Sequence, residues 1–301
     1  MKGARAKCPP TDAGRYHLVM SKSAWIDDPT SLLRVSEGFK LADVDPQSTP
    51  GFDGKKSDGE ALLAAESSTI GDLQERLYAN RTVTNRSILL VLQAMDTAGK
   101  GGIIRHVVGA ADPQGIALHA FKMPTRAEKR HDFLWRVRRQ LPAPGFIGVF
   151  DRSHYEDVLI HRVRGFSKPE VIEERYGLIS DFESELAASG TAIIKVMLQI
   201  SSDEQKARLR ARLDDPAKQW KFNPGDIDER GRWDAYQEAY QIALTRTSTD
   251  SAPWYVVPAN RKFYARIAVQ RLLIDALKGF ALEWPAVSFD VEAEKARLAK
   301  S

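Results

Sequence analysis

The apolar run Ile88-Leu-Leu-Val-Leu92 is followed by the small-residue stretch Met95-Asp-Thr-Ala-Gly-Lys-Gly-Gly102, and Ile103, Ile104, Val107 and Val108 then open a new apolar pattern. Five consecutive large apolar residues read as a buried strand, and the later spacing reads as the start of an amphipathic helix. A strand, a tight loop and a helix in that order build a cradle for phosphate. Loop N–H groups converge on the anion, the helix N-terminus adds its dipole, and a lysine supplies full charge. The chain is therefore expected to be an α/β protein that handles phosphoanhydrides.

The loop approaches a Walker A sequence and departs from it twice. Ala94 stands where the first glycine is expected, and Gly101 stands where a serine or threonine would touch magnesium. Thr97, Ala98, Gly99, Gly101 and Gly102 are the predicted backbone cradle around Lys100, with Asp96 at its entrance.

Strand-like and helix-like segments alternate from there on. Residues 59–80 read as a helix before the first strand; 116–122 as a strand; 127–141 as a helix; 146–150 as a strand; and 152–189 as helices. Residues 192–200 and 254–258 are two further strands, rich in β-branched and apolar side chains. Five strands alternating with helices predict a parallel sheet covered on both faces, a three-layer sandwich whose ligands sit at the carboxyl ends of its strands. Residues 1–57, with Pro9-Pro10, Asp45-Pro46 and Pro50-Gly51, read as an irregular N-terminal arm, and 58–301 as one phosphotransferase domain.

The strand-end rule singles out particular side chains. Asp151 closes the strand Phe146-Ile-Gly-Val-Phe150, as a magnesium-organising aspartate does, although a helix N-cap is the alternative role for it. Arg152 can clamp a phosphate bidentately, and Glu156 follows within one turn. His154 reads as a packed histidine, since no serine or cysteine nucleophile accompanies it. Ser201 and Ser202 open a helix on which Arg208 and Arg212 fall one turn apart, flanking the apolar stripe of Leu209 and Leu213. The turn Asp215-Pro-Ala-Lys218-Gln-Trp220-Lys221 breaks that helix, so residues 202–236 read as a helical lid with a basic tip.

Composition narrows the partners. The net charge of +4 and pI near 9.0 suit an anionic ligand without requiring nucleic acid, and the cations are spread over several motifs rather than interleaved with aromatics. The lone cysteine, Cys8, leaves no internal disulfide and no cysteine zinc site, and the basic start lacks a signal-peptide core. No segment suits a bilayer span, so a cytoplasmic protein is expected, with no membrane or nucleic-acid partner.

Three motifs in order, Met95-Asp-Thr-Ala-Gly-Lys-Gly-Gly102, Asp151-Arg-Ser-His-Tyr-Glu156 and Asp215-Pro-Ala-Lys-Gln-Trp-Lys-Phe222 with Arg230 and Trp233-Asp-Ala-Tyr236, resemble the family-2 polyphosphate kinases. The likeness runs from about Gly38 to about Leu277, and Gly38-Phe-Lys-Leu and Thr49-Pro-Gly-Phe52 share in it. It implies a P-loop NTPase-like, thymidylate-kinase-like fold. It also implies Mg²⁺-dependent, reversible transfer of a terminal phosphoryl group between inorganic polyphosphate and adenine nucleotides, with guanine nucleotides as a second choice.

By the same resemblance Asp96, Lys100, Asp151, Arg152, Arg208 and Arg212 are the catalytic residues, and Asp96 and Asp151 hold the metal. Glu156, Lys218 and Lys221 serve phosphate or nucleotide binding, and a homodimer or homotetramer is expected. Gln93-Ala-Met-Asp96 and Ser153-His-Tyr-Glu-Asp157 resemble the branch that accepts nucleoside monophosphates as well as diphosphates. The competing functions are an ATP-dependent nucleoside monophosphate kinase and a nucleotide-binding regulatory protein without turnover.

Overall fold

The computed structural model describes residues 25–301; Cys8 and the basic start lie outside them. In chain order its elements are α1 (Pro29–Leu33), α2 (Lys56–Ala79), β1 (Ser87–Ala94), α3 (Lys100–His106), β2 (Ile116–Ala120), α4 (Trp135–Arg138), β3 (Ile147–Asp151) and α5 (Ile160–Arg164). There follow α6 (Pro169–Ala188), β4 (Thr191–Gln199), α7 (Ser202–Asp214), α8 (Gly225–Arg230), α9 (Trp233–Thr247), β5 (Trp254–Pro258), α10 (Lys262–Gly279) and α11 (Val291–Leu298).

All five strands pair in parallel, in the order β2-β3-β1-β4-β5. The period of two along β1 sorts its side chains. Ile88, Leu90 and Leu92 enter one core with residues of α2, α3 and α10, while Leu89 and Val91 enter the other with residues of α6 and α9. Both faces of the central strand are therefore sealed, which is why its sequence reads as a continuous apolar run. No helix among the described residues is long and apolar enough to cross a membrane.

The stretch before α2 is tied down rather than loose. Val35 N–H donates to the Trp254 carbonyl at 2.9 Å, Arg34 bridges Tyr255, and the Tyr264 hydroxyl reaches the Pro50 carbonyl at 2.7 Å. Leu33, Val35, Leu41 and Phe52 are buried. This segment covers the free edge of β5, which would otherwise present unpaired backbone groups.

Two helical expectations need correction. Residues 127–141 form a 3₁₀ turn at Glu128–Arg130 and the four-residue α4 in place of one helix. Asp132 Oδ1 takes the Leu134 N–H at 3.0 Å, and Glu128 Oε2 takes the Thr125 N–H at 2.7 Å, so short polar side chains satisfy backbone groups locally and compete with a continuous helix. The helix after the phosphate loop also starts earlier and ends sooner than its apolar spacing implies. It opens at Lys100 and breaks at Val107, where the chain turns into the 3₁₀ stretch Val108–Ala110.

Candidate active site

The strand order reverses at β1: the chain crosses from it to β2 and β3 on one side and then to β4 and β5 on the other. That reversal opens a crevice at the carboxyl ends of β1, β3 and β4. The 95–102 loop follows β1, Asp151 ends β3 with Arg152 just past it, and α7 begins just past β4.

The loop is wound tightly. Gly102 N–H donates to the Gly99 carbonyl at 2.8 Å, Gly99 has φ +124°, and Thr97 has φ +67°. Left-handed geometry at a β-branched threonine costs about 1–3 kcal/mol, so its surroundings must impose it. Lys100 Nζ lies against the Ala94 carbonyl at 3.3 Å, folded over the cradle it would share with a phosphate. A Cβ added at Gly101 would meet nothing within 4 Å. A serine would therefore fit there, and the glycine removes a hydroxyl without any demand from packing.

Arg208 departs from the catalytic role that the resemblance implies for it. It does not project into the cleft; it is buried, and all five of its guanidinium N–H groups are used. Nε donates to Glu204 Oε1 at 2.6 Å, Nη1 to the carbonyls of Thr97 and Ala98 at 3.1 and 2.8 Å, and Nη2 to those of Ala259 and Asn260 at 2.7 and 3.1 Å. It ties α7 to the back of the loop, fixing the left-handed Thr97 and turning the carbonyls away from the cradle. Nothing is left over for a substrate.

Arg212, one turn further along α7, does line the cleft. Its Nη1 donates to the Lys221 carbonyl at 3.2 Å and stands 3.6 Å from Asp226 Oδ2. Asp226, which no motif marks in the sequence, thereby stands behind Arg212 without lining the cleft itself. Burial and the charge of Asp96 raise its pKa, against the opposing pull of Arg212. Lys218 and Lys221 line the same cleft from the lid, Lys218 paired with Asp215 at 2.5 Å and Lys221 lying over the Trp220 ring.

Across the cleft, Arg152 Nη2 donates to Asp96 Oδ1 at 3.0 Å, joining the turn after β3 to the loop after β1. Burial alone would lower the Arg152 pKa; Glu156, Asp96, Tyr240 and Asp151 outweigh it and raise it. Arg152 is also left-handed, with φ +64°. Glu156 is pushed up by burial, which Arg152 and Lys100 oppose.

The residues present fit a divalent cation. Asp151 Oδ1 and Thr97 Oγ1 are buried without a hydrogen-bond partner, an arrangement that is costly unless something else occupies them. Among the described residues no three His, Cys, Asp or Glu side chains form a cage. A cation here would take one or two carboxylates and complete its shell with phosphate and water oxygens, the usual environment of Mg²⁺.

The cleft over the loop has a volume of about 680 Å³. Lys100, Arg105, Lys122 and Arg152 line it with Arg212, Lys218 and Lys221 of the lid and Lys262 and Arg266 of α10, against only Asp96 and Asp151. Beside it lies a second cavity of about 700 Å³, in which Phe121, Met123, Phe133 and Phe166 stand among charged side chains of both signs, and which shares Phe121, Lys122 and Arg152 with the first. Little in the sequence marks this pocket, because its residues come from the stretches 121–136 and 152–175, and most of them read as ordinary core or surface.

A five-stranded parallel sheet with a glycine-rich phosphate loop at its switch point, a strand-end aspartate and an arginine-bearing lid defines a P-loop kinase-like phosphotransferase. The family model described as Polyphosphate kinase 2 matches residues 53–283. The chain belongs to the polyphosphate kinase 2 family, and it is an enzyme. It is 45% identical over 247 residues to an AMP/ADP-polyphosphate phosphotransferase of Meiothermus ruber, covering 82% of this chain and 91% of the relative. It is 40% identical over 278 residues to an ADP-polyphosphate phosphotransferase of Rhodopseudomonas palustris, covering 85% and 92%. The crystal structure of polyphosphate kinase 2 from Arthrobacter aurescens TC1 superposes with a TM-score of 0.90 at 59% identity, covering 92% of this chain and 98% of that one.

Proposed function

We propose that the chain transfers the terminal phosphoryl group of inorganic polyphosphate to AMP and ADP, reversibly and with Mg²⁺. The observation that carries this reading is the pairing of two cavities through Arg152: a cleft with nine lysines and arginines against two aspartates, and a neighbour in which Phe121, Phe133 and Phe166 stand among charged side chains of both signs. The first matches a polyanionic chain. The second offers apolar faces to a nucleoside, with its phosphate directed at Arg152.

The acceptor phosphate is mostly ionised at neutral pH, its second pKa being about 6, so the transfer needs no strong general base. An acceptor oxygen attacks the terminal phosphorus in line, the bond to the chain breaks, and the chain departs one unit shorter carrying the negative charge. Lys100 and Arg212 stabilise the charge on the transferring group and the departing chain, and Arg152 orients the acceptor. Asp96 and Asp151 would hold Mg²⁺, which when bound neutralises phosphate charge. The loop amides of Thr97, Ala98, Gly99, Gly101 and Gly102 cradle the donor, Lys218 and Lys221 grip its length from the lid, and Glu156 faces the acceptor. Arg208 supports the loop from behind.

The test is chromatographic product analysis with AMP or ADP as acceptor and either long-chain polyphosphate or ATP as donor. Polyphosphate-dependent ADP from AMP and ATP from ADP is the expected result. Transfer from ATP alone would make the chain a nucleoside monophosphate kinase, and no transfer from either would favour a regulatory protein. The same reading extends to a cytoplasmic homodimer or homotetramer, which light scattering on the purified protein tests.

A further inference from the structure

Lys195 stands in the middle of the apolar strand β4 and is wholly buried, as is Glu183 of α6. Lys195 Nζ donates to Glu183 Oε2 at 2.5 Å, to the Thr247 carbonyl at 2.6 Å and to the Tyr155 hydroxyl at 2.9 Å. Tyr155 in turn donates to Glu183 Oε1 at 2.9 Å, and His154 Nε2 faces the same oxygen at 3.2 Å. A buried pair of this kind is often no more stable than apolar residues of equal size, so its presence in a strand core points to a role other than stability.

The partners identify that role. His154 and Tyr155 belong to the turn that directly follows Arg152, whose left-handed backbone needs support from both sides. On one side the Arg152 N–H is held by the Leu92 carbonyl at 3.0 Å. On the other, Ser153 receives Gln93 Nε2 at 3.2 Å, and His154 and Tyr155 are gripped by the ion pair.

We propose that Lys195 and Glu183 are positioning residues for the reaction: by holding His154 and Tyr155 from beneath, they fix Arg152 and Glu156 on the acceptor side of the cleft. This rests on the proposed transfer from polyphosphate to a nucleotide. It adds a pair that touches neither substrate.

The test is the double variant Lys195→Met/Glu183→Leu, which removes both charges and leaves neither unpaired. The expected result is a folded protein whose melting temperature is at most modestly lowered, since the Thr247 carbonyl and the His154 ring each lose a partner, with kcat/KM for AMP down about tenfold or more. The loss falls on kcat and the acceptor KM, with a smaller effect on the KM for polyphosphate, whose cleft keeps eight other lysines and arginines. A pair that served folding alone would let activity follow stability, so a stable double variant with wild-type kinetics overturns the proposal. If the double variant does not fold, Tyr155→Phe decides: a selective loss with the acceptor supports the proposal, and unchanged kinetics overturn it. Failure of the functional reading would be distinct, since the wild type itself would then give no polyphosphate-dependent product.

Discussion

Arg208 and Arg212 lie one turn apart on α7, yet Arg208 spends every N–H on Glu204 and four backbone carbonyls while Arg212 faces the cleft. Neighbours on one helix face thus divide into a support for the loop and a side chain that lines the cleft. The division has opposite signatures under mutation.

Arg212→Ala is expected to lower kcat by about 10²–10³-fold with the melting temperature unmoved, the loss typical of a removed transition-state donor. Arg208→Ala strands buried carbonyls and is expected to cost about 3 kcal/mol, lowering the melting temperature by roughly 5–10 °C. Calorimetry beside steady-state kinetics on both variants checks this. Equal thermal effects would contradict it.

Removing metal separates turnover from folding. Because the orphaned Asp151 Oδ1 is one oxygen rather than a closed cage, chelation is expected to abolish transfer and leave the melting temperature unchanged. Asp151→Asn is expected to raise the Mg²⁺ concentration needed for half-maximal rate. An unchanged metal requirement in that variant would remove Asp151 from the metal site.

The donor cleft carries its own pH dependence. Burial, then the charges of Arg266 and Arg105, lower the His106 pKa from its ordinary 6.5, so the free enzyme holds this imidazole neutral at pH 7. A bound polyanion reverses the local charge and raises the pKa, and the complex then holds more protons than its separate parts. Donor affinity should therefore gain from His106 as pH falls from about 8 toward 6. Titration calorimetry with tripolyphosphate in buffers of different ionisation enthalpy should detect this proton uptake, and His106→Gln should remove it. Equal uptake in wild type and variant would refute the linkage.

Much of the fold was legible in the sequence because β1, β3, β4 and β5 are largely apolar runs, and a parallel sheet sealed on both faces requires that pattern. The phosphate loop was legible for a related reason: its small residues serve a backbone shape. What was hidden depends on contacts far apart in the chain. Arg208 and Arg212 have equivalent positions on one helix, and only the carbonyls of residues 97, 98, 259 and 260 tell them apart. Lys195 gave one local sign, a lone charge inside an apolar strand, but its partners lie at residues 155, 183 and 247. Asp226 was equally silent, since an acidic residue near a helix start reads as a favourable end charge.

The most direct test of the account is the rate of ATP formation from ADP and long-chain polyphosphate, with no other phosphoryl donor present, by wild type and by Lys100→Ala of matched melting temperature. The account predicts steady ATP production by the wild type and a loss of about 10²-fold or more in the variant, because Lys100 supplies charge at the transferring group. ATP production that survives in the variant at the wild-type rate would contradict it.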